Sequence, residues 1–329
     1  MAKILSYESK SKKENVMVIV FLAISVIVTN SFIIFLPKED SRFYLSGLIS
    51  SAAVGVALVI SIIAVWKYKR GIKKKEEERQ QVFSQQDADT GPHRYYYDDN
   101  KMHFSICLFL LFWFSASVIW TLADNQSAGI VIADALYYMG YALFGYFLYS
   151  LYYHFFRNEF EPFILILVAV IILIPVIFIV DTIVSTLRLL STQTVDVWVV
   201  IKNAAYPTLD AVMIFPTVIM FWGARRITKR QKNHIAEEQE LEQEITDKDK
   251  YHSAYLVSND ASIYVLLLFT AMILSAAGDT GFAYTSAFDI TTVQDYVWIW
   301  NILYNSDHLC LAAAVVGYRH LFLYSKINA

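Results

Sequence analysis

Charge is scarce in this sequence: only 17% of its 329 residues are charged. Hydrophobic residues reach 57%, above the ~45–50% apolar content of soluble domains. The formal net charge of −3 is an average over strongly basic and strongly acidic blocks, and no nucleic-acid partner is expected from it. Cysteine is nearly missing. Cys107 and Cys310 both lie in apolar runs, which excludes a disulfide framework and a multi-cysteine metal site. Catalytic signatures are missing too. There is no phosphate-binding glycine loop, no nucleophile elbow and no HExxH. Gly278-Asp279 is close to the Gly-x-Gly-Asp of intramembrane aspartyl proteases, but Ala276 replaces the first glycine and a Tyr-Asp partner motif is missing. His154 and His320 sit at one boundary and His308 in the opposite half, so three imidazoles do not converge on a metal. Arginine ladders and a TVGYG-like filter are absent. No lysine lies in the last apolar run above Lys326, which excludes a retinal Schiff base. No catalytic residue, metal site or cofactor is expected, and an enzyme is not the reading these residues support.

What is present is apolar length. Eight runs are long enough to cross ~30 Å of hydrocarbon. They fall near 16–36, 44–66, 103–123, 131–155, 162–181, 204–224, 260–280 and 297–321. The runs are apolar all round, without the polar face of a helix in a soluble protein. The fold class they predict is all-α: a polytopic membrane helical bundle of eight transmembrane helices. Four lysines precede the first run, but that run is too long for a signal peptide and no small-residue cleavage site follows it, so it reads as a retained helix. Basic residues set the orientation. Only Lys38, Arg42, Arg188 and Lys202, of 27, fall in the segments that a cytoplasmic N-terminus would place outside. Both termini are then cytoplasmic, and the protein sits multi-pass in the cell membrane with the lipid bilayer as its solvent. Residues 1–66 form an N-terminal helical hairpin, 67–102 a charged cytoplasmic loop, and 103–329 a six-helix membrane domain of three outward hairpins.

Two inner segments share one charge order. Lys67-Tyr68-Lys69-Arg70 and Lys73-Lys74-Lys75 precede Glu76-Glu77-Glu78, and Arg225, Arg226, Lys229, Arg230 and Lys232 precede seven acids between Glu237 and Asp249. Both read as helices leaving the membrane, basic at the lipid phosphates and acidic beyond. The second, over 225–259, is a charged stalk suited to a protein partner at the cytoplasmic face.

Acids recur in the three hairpins. Their first members end at Asp124, Asp181 and Asp279, and their second members carry Asp134, Asp210 and Asp307. At ~1.5 Å of rise per residue, Asp307 lies roughly 18 Å and Asp210 roughly 22 Å from the inner boundary. The other four fall near the outer interface, where Asp134 is placed to cap its helix and the rest lie at C-terminal ends. A carboxylate in the membrane centre costs ~2.5–3.5 kcal/mol on insertion scales, so the deep pair must face the bundle interior, a partner or a wet cavity. His308 is adjacent to Asp307, but neighbours on a helix diverge, which argues against a dyad. Tyr137, Tyr138, Tyr141, Tyr206, Phe282, Tyr284, Tyr296 and Tyr304 lie near these acids. A tyrosine belt at the interface is their ordinary reading. The functional reading is an acidic-aromatic outer pocket of Asp134, Tyr141, Asp210, Asp279, Tyr284, Asp307 and His308, suited to a small ligand or a cation.

The stretch Ile132-Ala133-Asp134-Ala135-Leu136-Tyr137-Tyr138-Met139-Gly140-Tyr141 resembles a motif of multi-span membrane sensory input domains of prokaryotic signalling proteins. Ala205-Tyr206-Pro207-Thr208-Leu209-Asp210, Gly278-Asp279-Thr280-Gly281-Phe282-Ala283-Tyr284 and the segment from Trp298 to Asp307 fit the same pattern. The resemblance covers 103–323. In that family the membrane region precedes histidine-kinase or diguanylate-cyclase modules. Here no output module follows, so the resemblance implies signalling through a separate partner. The expected function is a receptor-like or accessory membrane protein. The alternatives are a cation- or proton-coupled transporter or channel, and a structural subunit of a membrane complex.

Overall fold

Long apolar runs in a chain with 11 glycines and six prolines have one way to satisfy their backbone away from water, which is the α-helix. The computed structural model describes residues 2–36, 39–83, 93–123, 128–155, 197–240, 248–288, 290–328 and scattered positions between 162 and 184. Toward the helix ends, only the backbone course is described. Seven helices are seen among these residues: α1 (Ala2–Phe35), α2 (Glu39–Phe83), α3 (His93–Leu122), α4 (Ala128–Phe155), α5 (Val197–Glu240), α6 (Lys248–Phe288) and α7 (Ile290–Asn328).

Among the described residues, six segments are long and apolar enough to cross a membrane: Val16–Phe35, Ser41–Lys67, Lys101–Leu122, Ala128–Tyr153, Ala204–Arg226 and Ile263–Ala283. The protein is consistent with a multi-pass membrane protein. The run expected over 162–181 lies mostly outside the described residues. The run expected over 297–321 is helical within α7, carries Asn301, Asn305, Ser306, Asp307 and His308 in its middle, and is not among these six.

Among the described helices, six close into a ring. Each of α2 to α6 packs on its successor, and α7 returns to α2. Helix α1 lies against α7, with smaller contacts to α2 and α6. The N-terminal pair is thus joined to the rest of the bundle, and α2 is a member of the ring. The outside of the bundle is apolar, with Phe21, Phe32, Phe104, Leu122, Val131 and Tyr149 exposed. That arrangement suits hydrocarbon, where an exposed apolar side chain carries no hydration penalty.

The interior divides into an apolar part and a polar part. Phe109 of α3 and Phe144 of α4 stack at 4.6 Å, and Trp113 meets Phe109 edge-on at 4.7 Å. Met213, Ile214, Val218 and Met220 of α5 and Leu268 and Met272 of α6 continue this core. The polar part follows α7. Asn305 Nδ2 donates to Thr29 Oγ1 at 2.9 Å and to Asn30 Oδ1 at 3.0 Å, and Asn30 Nδ2 donates to Ser306 Oγ at 2.8 Å. Ser51 of α2 and Ser117 of α3 share a hydrogen bond of 2.7 Å. Such pairs join helices where lipid supplies no hydrophobic drive between them, at ~0.6–2 kcal/mol each.

Glycines let α6 and α7 approach closely. Gly317 of α7 faces the ring of Tyr264, and a Cβ there would overlap it. Gly281 faces Trp300 in the same way. Gly317→Ala is therefore expected to destabilise the bundle by about 1–3 kcal/mol through overpacking. Thermal unfolding in lipid nanodiscs would read the loss, and Tyr264→Ala in the same chain should recover part of it. A Gly317→Ala protein that melts with the wild type would remove this contact from the account.

Candidate functional site

Four carboxylates enter the bundle from four of the described helices. Asp134 (α4) is 3% exposed, Asp210 (α5) 0% and Asp307 (α7) 2%, while Asp279 (α6) is partly buried. Tyr137 lies within electrostatic range of Asp134, Asp279 and Asp307, and Asp210 within range of Asp279 and Asp307. The acids form one cluster. No lysine or arginine is buried among the described residues.

Tyrosines supply the donors. Tyr206 of α5 donates to Asp134 Oδ1 at 2.7 Å, and Tyr141 of α4 donates to Asp210 Oδ1 at 2.7 Å. The two bonds cross the α4–α5 seam in opposite directions. Asp134 and Tyr141 are seven residues apart, and Tyr206 and Asp210 four apart, so each helix presents an acid and a phenol on one face. Tyr304 of α7 repeats the device on Asp279 Oδ1 at 2.7 Å. These are short, charge-assisted bonds of the stronger class. Ser275 Oγ adds a longer contact to Asp210 Oδ1 at 3.3 Å. Tyr206 also stacks on Tyr138 with centroids 5.2 Å apart.

The Tyr304 contact depends on Gly278. A Cβ there would stand 2.9 Å from Tyr304 Cε1 and 3.2 Å from Cδ1. Without one, the ring lies flat on α6 and its hydroxyl reaches the next residue, Asp279. Gly278 and Gly281, three apart on α6, receive Tyr304 and Trp300, four apart on α7.

His308 completes the cluster. Its Nδ1 is 2.7 Å from the carbonyl of Tyr304, one turn back. A carbonyl only accepts, so Nδ1 carries the proton. The same nitrogen lies 2.7 Å from Asp307 Oδ1, off the line of the ring N–H, so the carboxylate has a close electrostatic contact without an aligned hydrogen bond. Trp113 flanks the imidazole with centroids 5.7 Å apart. His308 Nε2, Asp307 Oδ1, Asp210 Oδ2 and Asn305 Oδ1 are buried without a hydrogen-bond donor or acceptor from the protein.

Several sequence expectations change. Asp134 is no N-cap, because α4 starts six residues earlier at Ala128. Asp279 is not at a helix end, because α6 continues to Phe288. Counting rise from charged boundaries separates Asp279 from the deeper Asp210, yet the two carboxyls lie within hydrogen-bonding reach. The count fails because α5 and α6 both continue far past those charges, which therefore mark no common level. Asp307 and His308 do meet, because the ring folds back toward its own helix to reach the Tyr304 carbonyl. Asp134, Tyr141, Asp210, Asp279, Asp307 and His308 are brought together. The side chain of Tyr284 lies outside the described residues, as do Asp124 and Asp181. Tyr206, Tyr304 and the neighbouring tyrosines, given to an interfacial belt by composition, include two of the donors. Trp113, Ser275 and Gly278 had no sequence signal beyond the glycine spacing.

Among the described residues, no group of three His, Cys, Asp or Glu is arranged to hold a metal ion. The cluster can instead hold and move protons, since every acid in it neighbours a hydroxyl, an imidazole or another acid. Gly278→Ala and Tyr304→Phe should each cost about 1–3 kcal/mol, by leaving a buried carboxylate short of a donor. The double variant should cost little more than either alone, because both changes act on one bond. Unfolding free energies of the four proteins test this, and fully additive losses would assign Gly278 to helix packing alone. No known protein family matches the chain, and neither a curated protein nor a solved structure is similar to it.

Proposed function

We propose that this protein is an integral membrane sensor that binds a small ligand or ion at the acid–tyrosine cluster and passes the change to a separate protein partner at the cytoplasmic face. The reading takes eight spans with both termini cytoplasmic. The observation that carries it is the continuity of α5. One helix, Val197–Glu240, holds Tyr206 and Asp210 in the cluster and runs on into the basic-then-acidic segment that begins at Arg225.

That helix is built to bend beside the site. Pro207 and Pro216 lie inside it, before and after Asp210. Each proline removes a backbone donor and frees the carbonyl four residues back. Thr208 Oγ1 donates to the Ala204 carbonyl at 2.6 Å, and Thr217 Oγ1 to the Ile214 carbonyl at 2.8 Å, so the residue after each proline bonds back to the preceding turn. Weak points on both sides of Asp210 allow a local change there to alter the direction of the helix beyond it. Helix α2 extends from the ring in the same manner, to Phe83, and supplies a second charged arm.

A proton- or cation-coupled transporter would draw on the same acids. It needs a polar relay across the other half of the bundle. Along α5 that half is Met213, Ile214, Val218, Ile219 and Met220, all buried, with Thr217 as the polar side chain among them. This favours sensing over transport.

Spin labels at Gln80 and Gln239 report on the two arms. Replacing Asp210 by Asn removes a charge from the cluster and should move the mean distance by more than about 2 Å, the scale of helix shifts in switching proteins. An identical distance distribution in the two proteins would show that the cluster and the arms are uncoupled. Proton or cation flux into liposomes that disappeared in Asp307→Asn would favour the transporter.

A further inference from the structure

Two carboxyl groups that touch inside an apolar ring are not both charged unless something positive lies between them. The Asp210 and Asp279 carboxyls, on adjacent helices, lie within hydrogen-bonding reach of each other. Asp210 is fully buried, and Tyr141 and Ser275 both serve its Oδ1. Its Oδ2 has no donor from the protein. Asp279 takes the Tyr304 hydroxyl.

Titratable groups face the pair from four helices. Helix α4 brings Tyr137, Tyr138 and Tyr141, α5 brings Tyr206, and α7 brings Tyr304, Asp307 and His308, while α6 adds the Ser275 hydroxyl. Asp307 and His308 contact each other. Among the described residues no lysine or arginine is buried to balance the pair. Among the described residues no three His, Cys, Asp or Glu side chains are arranged to hold a metal ion. A proton needs no volume, and it gives Oδ2 of Asp210 a bond to make.

We infer that Asp210 and Asp279 hold one shared proton and that this proton is the ligand of the site. The inference rests on the reading of the cluster as the sensing centre. Release of the proton leaves two carboxylates facing each other across the α5–α6 contact, between the two prolines of α5. Their repulsion then acts where that helix bends most easily, so membrane-side acidity would set the position of the inner arm.

Infrared spectroscopy of the full chain in nanodiscs tests this directly. The wild type should show a protonated-carboxyl band that titrates with pH and shifts in heavy water. Asp210→Asn and Asp279→Asn should each remove it, because the proton belongs to the pair. Tyr304→Phe, a gentler change, should keep the band and shift its frequency. Absence of the band in the wild type at every pH would overturn the inference. So would a band that persists unchanged in both asparagine variants, or one indifferent to Tyr304→Phe. The Gln80–Gln239 distance across the same pH range separates this from signalling. An intact band with an unmoving distance would leave the shared proton standing and sink the sensor reading.

Discussion

A phenol hydroxyl on one helix donating to a carboxylate on the next occurs at three places in this bundle. Each bond meets the same constraint: an acid inside an apolar ring must be given a donor or it expels itself from the fold. Lysine or arginine would satisfy it with opposite charge, but none is buried among the described residues. Tyrosine satisfies it with a neutral donor on an apolar ring that packs like its neighbours. The bonds therefore join helices without bringing a positive charge into the cluster. At the α4–α5 seam, the two crossed bonds hold the acids and the helices in one register.

The rest of the interior follows from accommodating that cluster. Helix α7 is the polar helix of the bundle, and it stays in the ring because its amides meet Thr29 and Asn30 of α1. Helix α1 has little buried surface of its own, and those side-chain bonds give it a fixed place. The glycines at 278 and 281 open room on α6 for two aromatic rings of α7. One ring carries the hydroxyl that Asp279 needs, so a backbone feature and an electrostatic requirement are solved at one position. The prolines of α5 bracket Asp210 in the same economical way, placing the buried acid of the helix where its backbone is weakest.

Much of this was legible in the residues. Run lengths gave the all-α membrane class, since a continuous apolar run of ~20 residues spans hydrocarbon as an α-helix, whereas barrel strands are short and alternate. The acids could be singled out because a carboxylate in an apolar run is costly and needs a reason. Of the three tyrosine donors only Tyr141 was named with the acids; Tyr206 and Tyr304 were not, because a tyrosine near a membrane boundary has an interfacial role that needs no partner at all. The spacing of Asp134 and Tyr141 and of Tyr206 and Asp210 shows that each pair shares a face. It does not show that the two faces meet. Depth was misjudged for a related reason: a charged residue marks where polarity begins, and these helices continue well beyond it.

The sequence by itself determined the all-helical, multi-pass character and singled out the acids of the cluster, because these depend on local composition and on the cost of charge in an apolar medium. Tertiary structure alone decided which acid meets which tyrosine, that Asp210 and Asp279 touch, and that His308 turns back onto its own helix beside Asp307. Those contacts depend on how the helices are rotated about their axes and seated against one another. That seating is set jointly by glycines, aromatic rings and side-chain bonds from as many as four helices, and no single stretch of chain carries it.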